Sequence, residues 1–271
     1  MVQKVALITG ASSGIGKETA KLLVQNGYTV YGAARRVDKM EDLRIAGVNL
    51  IAMDVTDEVS MQNGIATILK AEQRIDVLVN NAGYGSYGAV EDVSMSEAKY
   101  QFEVNIFGLA RLTQLVLPTM RAQQSGKIIN ISSIGGKIGE PHGAWYHATK
   151  FAVEGFSDSL RMELRQFGID VVIIQPGAIL TEWNEIARTN LLKVSGDTAY
   201  KDLAHKHAKM LANADNQGSQ PIVVAQTITK AVLAKQPKTR YATGGGAKII
   251  LFLRAILSDR LFDKLMLTMM R

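Results

Sequence analysis

Residues 4–25 read KVALITGASSGIGKETAKLLVQ, and they decide how the rest of the chain is built. Lys4 to Thr9 is a short apolar run that reads as a buried strand. It passes straight into Gly10-Ala11-Ser12-Ser13-Gly14-Ile15-Gly16, and Lys17 to Gln25 follows as helix-forming sequence. Strand, glycine-rich turn and helix, in that order, aim backbone N–H groups and a helix N-terminus at a phosphate. The spacing is G-x-x-x-G-x-G rather than the common G-x-G-x-x-G. A triphosphate loop of the type G-x-x-x-x-G-K-[ST] is excluded, because Ala11 stands where its first glycine belongs and Glu18 follows Lys17. Gly10 to Gly14 also fits G-x-S-x-G, the nucleophile elbow of a serine hydrolase with Ser12 as nucleophile. Only nine residues precede it, too few for the strand that supplies that elbow's oxyanion loop, so this alternative is disfavoured.

Downstream, short apolar strands alternate with helical stretches. Tyr28 to Ala33 reads as a second strand, ending at Arg35 and Arg36. An acidic residue there would accept hydrogen bonds from an adenine ribose, whereas arginines pair with phosphate. The pair therefore favours a cofactor with a 2′-phosphate, NADP(H), over NAD(H); Asp38 nearby tempers the preference. Asn49 to Met53 is a third strand, followed by Asp54, Val55 and a helix over 58–72 capped by Thr56 or Asp57. Ile75 to Val79 is a fourth, ending in Asn80-Asn81-Ala82-Gly83. Further strands fall at 128–131, 169–175 and 239–243. The alternation predicts one α/β domain, a doubly wound, mostly parallel seven-stranded sheet of the Rossmann type.

The stretch 127–150, KIINISSIGGKIGEPHGAWYHATK, holds the chemistry. Tyr146 and Lys150 are four apart and share one helical face. A phenol titrates near pH 10, too high for proton exchange at neutrality, and lowering it by about three units takes about 4 kcal/mol. An ammonium about 4 Å away at an effective dielectric near 20 is worth roughly that much. Lys150 is therefore expected to lower the Tyr146 pKa, and Ser133 to hydrogen-bond the substrate oxygen that Tyr146 serves.

Taken in order, Thr9-Gly10-x-x-x-Gly14-x-Gly16, Asn80-Asn81-Ala82-Gly83, Ser133, Tyr146-x-x-x-Lys150 and Pro176-Gly177 resemble the short-chain dehydrogenases/reductases over roughly residues 4–180. The resemblance implies hydride transfer between a nicotinamide cofactor and a carbonyl or alcohol. It implies that Gly10, Ser12, Ser13, Gly14, Ile15 and Gly16 surround the pyrophosphate. Asp54 and Val55 would meet the adenine, and Asn81, Ala82 and Gly83 the nicotinamide-side ribose. Pro176, Gly177 and Thr181 would meet the carboxamide, while Tyr146 and Lys150 would touch the cofactor as well as catalyse. Asn105 matches the family's helix asparagine, which holds a water linking the lysine to solvent. Ser133 lies thirteen before Tyr146, the family's separation, and is preferred to Ser132. The family also implies a homodimer or homotetramer built on the two long helices expected at about 96–122, kinked or ended near Pro118, and about 144–166.

Beyond Pro176 the pattern blurs. The variable region 182–220 has no clean period, and Trp183, Leu191, Leu192, Met210 and Leu211 either line a lipophilic pocket or pack against the domain. His142 is a candidate substrate contact, His147 is expected to pack, and His205 and His207 are expected at the surface, with no metal site. The domain is expected to end at 246, followed by an apolar, cationic tail at 247–271. That tail is too interrupted by charge to span a bilayer, and packing, a lid or contact with an anionic membrane surface are open to it. Members of the family acting on lipophilic substrates, such as 17-beta-hydroxysteroids or retinol, carry a comparable tail. Residues 238–271 hold seven Lys/Arg against Asp259 and Asp263, leaving the body nearly neutral within a net charge of +6, which argues against nucleic acid. Cysteine is absent, excluding disulfides and thiolate chemistry, and a cytoplasmic location is expected. A regulator that kept the fold but lost catalysis is the other class of reading, opposed by the intact Asn105, Ser133, Tyr146 and Lys150.

Overall fold

The computed structural model describes residues 3–270, with the backbone alone for 214–217. Seven strands form one sheet: β1 (Val5–Thr9), β2 (Thr29–Ala34), β3 (Asn49–Ala52), β4 (Val77–Asn80), β5 (Gly126–Ile131), β6 (Ile169–Pro176) and β7 (Arg240–Thr243). Their order is β3-β2-β1-β4-β5-β6-β7, and every pairing is parallel. All five residues of β1 are buried, as a central strand covered on both faces requires, whereas edge strand β3 is half exposed. The order reverses between β1 and β4, so the crevice for a ligand opens beyond the carboxyl ends of these two strands. The glycine-rich turn after β1 and Asn81-Ala82-Gly83 after β4 meet there.

Helices cover both faces. On one, α1 (Gly14–Gln25) and α9 (Pro221–Leu233) bury Ala20, Leu23, Val224 and Ile228 against Ile8 and Val79. Short α2 (Glu41–Ile45) adds Leu43 to the same layer. On the other, α3 (Glu58–Glu72), α5 (Gly108–Gln123) and α6 (Ala144–Leu164) bury Ile65, Ile68, Leu112, Val116 and Leu160 against Leu7 and Ile128. The N-cap of α3 is Asp57, whose carboxylate accepts from the Ser60 N–H at 2.8 Å. A buried polar ladder fixes α6 on the sheet. Asn80 Nδ2 donates to Thr113 Oγ1 (3.1 Å) and Asn130 Oδ1 (2.9 Å), and Asn130 Nδ2 donates to Ser157 Oγ (2.9 Å).

One local expectation needs correction, and two regions left open by the sequence take definite form. The long helix expected to bend at Pro118 is instead α4 (Met95–Phe102) and α5 joined by a π-helical turn, Glu103–Phe107, while Pro118 sits inside α5, which runs on to Gln123. Gly108 explains the site of the break: a Cβ there would collide with the Val55 carbonyl, so the helix is pressed against the β3 loop at that point. The region 182–220 is regular, forming α7 (Glu182–Ser195) and α8 (Lys201–Gln217), whose Ala187, Leu191, Ala204, Ala208 and Leu211 pack together. The tail is two helices, α10 (Ala247–Ile256) and α11 (Asp259–Met269), with Phe262 and Met266 buried on Ile138. Among the described residues no helix is long and apolar enough to cross a membrane.

Candidate active site

The turn after β1 is shaped by what its glycines avoid. Gly10 and Gly14 hold left-handed backbone (φ +65 and +53), and a Cβ on Gly16 would lie 2.5 Å from the Gly10 carbonyl oxygen. Thr9 and Asn81 join the two loops. The Asn81 and Ala82 N–H groups each donate to Thr9 Oγ1 (3.0 Å), and Asn81 Nδ2 donates back to the Thr9 carbonyl (2.9 Å). Ser13, the N-cap of α1, makes no side-chain cap bond, leaving first-turn N–H groups to face the crevice. That turn, packed so closely that a Cβ on Gly10 or Gly16 would strike Asn81, presents backbone N–H groups suited to a pyrophosphate.

One continuous cavity of about 700 Å³ runs along the carboxyl ends of the strands. Of the sequence-predicted cofactor residues it is lined by Gly10, Ser12, Ser13, Gly14, Ile15, Arg35, Arg36, Asp54, Val55, Asn81, Ala82, Gly83, Tyr146, Lys150, Pro176, Gly177 and Thr181. Only Gly16 stands behind the wall. At one end Arg35 and Arg36 follow β2, both exposed, and Arg35 Nη1 donates to Tyr100 Oη at 3.1 Å. Asp54 accepts from Thr56 N (2.9 Å) and Thr56 Oγ1 (2.8 Å), so its carboxylate holds the β3 turn.

At the middle of the cavity stand Ser133, Tyr146 and Lys150. Ser133 Oγ accepts from the Gly135 N–H (3.0 Å) and hydrogen-bonds the Tyr146 hydroxyl. Lys150 Nζ donates to the Ile131 carbonyl at 2.9 Å and lies 5.8 Å from the centre of the Tyr146 ring. The expected lowering of the Tyr146 pKa is not found. Burial pushes the Tyr146 phenol up to about 12, against the lowering by the Ser133 hydrogen bond and with a smaller push from Glu140. Burial also lowers Lys150 to about 8. The protein alone thus keeps Tyr146 a neutral phenol at pH 7, because desolvating two groups together outweighs an ammonium engaged with a carbonyl.

Asn105 stands behind the cavity wall, buried in the π turn. Its Nδ2 donates to the Tyr84 carbonyl (2.9 Å) and Thr149 Oγ1 (3.0 Å), and its Oδ1 accepts from Tyr84 N (3.0 Å). The amide therefore clamps the loop after β4 to α6 one residue before Lys150.

The outer part of the cavity is apolar. Trp183, Met210 and Leu211 line it, together with Ile250, Met266 and Met269 from the tail, whereas Leu191 and Leu192 pack behind. Tyr87 stands against Tyr146 (5.8 Å between ring centres) and edge-on to Trp183 (5.6 Å). His207 is fully buried, correcting its expected place at the surface: it faces inward, Nδ1 3.2 Å from His142 Nδ1, while His205 two residues earlier points away to the Gly196 carbonyl (3.2 Å). His142 therefore meets His207, and the cavity lining passes it by. His147 packs as expected, Nδ1 2.9 Å from the Gly135 carbonyl. With every histidine so engaged, Ser12 has no base, which removes the hydrolase alternative. Tyr87 and Glu140 line the site without having been singled out from the sequence, where neither carries a motif.

The chain matches the family model for short chain dehydrogenases over residues 4–191. It is similar to the 3-ketodihydrosphingosine reductase of Bacteroides thetaiotaomicron, 38% identical over 90% of this chain and 89% of that protein. It also resembles the NADPH-dependent 3-dehydrocapnine reductase of Ornithobacterium rhinotracheale, 33% identical over 97% and 95%. Among solved structures, a short-chain dehydrogenase from Streptomyces avermitilis superposes with a TM-score of 0.81 at 37% identity, covering 98% of this chain and 95% of that one. Other solved relatives hold NADP. A glycine cradle at the sheet's switch point, a buried tyrosine–lysine helix beside it and these relatives agree: the chain belongs to the short-chain dehydrogenases, oxidoreductases that act on CH–OH groups with a nicotinamide dinucleotide.

Proposed function

We propose that this enzyme uses NADPH to reduce the carbonyl of a lipophilic ketone or aldehyde. One observation carries the reading: a single cavity joins the Arg35–Arg36 end, the Ser133–Tyr146–Lys150 cluster and an apolar chamber closed by Met266 and Met269. The names of the two relatives, both reductases and one NADPH-dependent, support the direction and the cofactor.

When bound, the dinucleotide supplies the hydride that reduces the carbonyl carbon. Ser133 Oγ and the Tyr146 hydroxyl hold the carbonyl oxygen, and Tyr146 gives it a proton as negative charge develops there. A phenol held near 12 is protonated at pH 7, the form that reduction needs, and an alkoxide is a far stronger base than the phenolate left behind. Lys150, cationic below its lowered pKa and anchored on the Ile131 carbonyl, would hold the ribose. Asn105 keeps the Tyr84 turn and α6 in register and leads the path by which Tyr146 is reprotonated. The test is NADPH oxidation with a panel of alkyl ketones and aldehydes; no turnover in either direction, with the cofactor bound, refutes the reading.

The tail acts as a lid on the chamber and as a docking face for an anionic membrane. Ile249, Phe252 and Ile256 of α10 are 67%, 63% and 60% exposed, and their spacing puts them on one side. Lys248, Arg260 and Lys264 supply charge for acidic headgroups. Replacing Phe252 and Ile256 with Ser should reduce the partition coefficient onto phosphatidylglycerol vesicles by about a hundredfold or more, since each buried side chain is worth roughly 1.5–3 kcal/mol. Equal sedimentation of the variant and the parent sinks the idea. Phe107, Phe151 and Met162, exposed on and beside α5 and α6, are offered to a second copy of the chain. Sedimentation velocity at micromolar concentration should find a dimer or tetramer; a monomer counts against this face.

A further inference from the structure

Arg35 reaches the cavity already tied down, and what ties it is a phenol. Its Nη1 donates to Tyr100 Oη at 3.1 Å, a bond between residues 65 apart in sequence that joins the end of β2 to α4. Both residues line the outer end of the cavity, and Val104, four residues beyond Tyr100, lines it too. Among the described residues Arg35 makes no ion pair, and Nη1 is the one nitrogen it commits. A guanidinium carries five N–H donors, so the Nε–Nη2 edge of Arg35 remains available for two oxygens at once. The hydroxyl is neutral and fixes the group without cancelling its charge.

The phenol is itself braced. The Tyr100 ring packs on Tyr84 (5.9 Å between centres, tilted by 49°), and the Tyr84 backbone N–H donates to Asn105 Oδ1 at 3.0 Å. The nearby acids are occupied elsewhere. Glu97, three residues before Tyr100 on the same helical face, accepts from the Tyr84 hydroxyl at 3.0 Å. Asp54, which follows the neighbouring strand β3, is spent on Thr56. An arginine on a free stem loses rotamer entropy when it binds, and one held beforehand loses less. Affinity gained in this way goes only to a ligand that Arg35 touches. Resting on the NADPH reading, we infer that Tyr100 is the positioning residue of the 2′-phosphate site: its hydroxyl presets the Arg35 guanidinium so that the Nε–Nη2 edge meets the phosphate on the adenine ribose. Tyr100 thereby sets the preference between the two dinucleotides from the end of the cavity opposite the chemistry.

The experiment measures, by calorimetry, the binding of adenosine 2′,5′-bisphosphate and of 5′-AMP, which differ by the 2′-phosphate alone. Tyr100→Phe keeps the ring on Tyr84 and removes only the hydroxyl. It should weaken the bisphosphate about fivefold, the worth of one hydrogen bond, and shift 5′-AMP by less than about twofold. The Michaelis constant for NADPH should rise in parallel, a change in KM rather than in kcat, while that for NADH moves by less than about twofold. Arg35→Ala should weaken the bisphosphate about tenfold, and adding Tyr100→Phe to it should cost nothing further, since the hydroxyl then has no guanidinium to hold. A Tyr100→Phe protein that binds the bisphosphate as the parent does, or that loses both nucleotides alike, overturns the inference. So does a double variant in which the two losses add, and so does an Arg35→Ala protein with an unchanged ratio of the two affinities, whatever Arg36 contributes. The NADPH reading fails separately, and takes this inference with it, if the parent enzyme binds the bisphosphate no more tightly than 5′-AMP.

Discussion

Tyr146→Phe should lower kcat for carbonyl reduction about a thousandfold while changing the dissociation constant of NADPH by less than about threefold, the size expected for deleting a general acid. The substitution removes one oxygen and nothing else. The ring stays wedged between Tyr87 and Trp183, 5.8 and 5.2 Å away between centres. What disappears is the hydroxyl shared with Ser133. Stability should hardly move, because both partners of that hydrogen bond lose little: Ser133 Oγ keeps the Gly135 N–H, and a buried hydroxyl is exchanged for a buried hydrogen, a change of about 1 kcal/mol or less. Rapid-quench turnover under saturating NADPH, with melting followed by circular dichroism, reads both quantities. A kcat within a factor of three of the parent would falsify the role given to Tyr146.

Arg35→Ala combined with Arg36→Ala should raise the Michaelis constant for NADPH by about 30- to 100-fold and that for NADH by no more than about threefold, from charge-assisted bonds of roughly 1.5–3 kcal/mol to a phosphate, taken at their weaker end because both side chains are exposed. Both arginines line the cavity directly beyond β2, the place where a ribose 2′ substituent is read in a switch-point site. Arg35 is held by Tyr100 rather than by an acid, so its guanidinium arrives with its charge unspent. A planar guanidinium pairs two oxygens at once, which is why alanine should cost more here than screening alone suggests. The same parent enzyme should lose NADPH affinity as salt rises, with NADH nearly indifferent. Parallel rises in the two Michaelis constants would remove the 2′-phosphate assignment and leave the arginines as a solvated turn.

Several parts of this molecule were legible before any coordinates, and for a common reason. Strand β1, its glycine turn and α1 follow from local chemistry: an apolar run buries, Gly10 and Gly14 accept left-handed backbone, and the helix starts where the turn ends. Tyr146 and Lys150 share a face because a helix repeats every 3.6 residues. The same reasoning faltered where a residue's surroundings come from afar. No period was visible in 182–220 because the charges of α8 hide a stripe of Ala204, Ala208 and Leu211 that matters only once α7 lies against it. Pro118 was expected to bend its helix, yet the discontinuity lies at Glu103–Phe107, where Gly108 is pressed against the Val55 loop.

By itself the sequence determined the parallel α/β sheet, the glycine turn after β1 and the helical face shared by Tyr146 and Lys150, since each depends on neighbours within a few positions. Tertiary structure alone decided the direction of the Lys150 ammonium, the burial of His207 against His142, the closure of the chamber by Ile250 and Met266, and the presence of Glu140 beside Tyr146. Charge and solvation are set by whatever elements pack around a group, and those elements lie scores of residues apart along the chain.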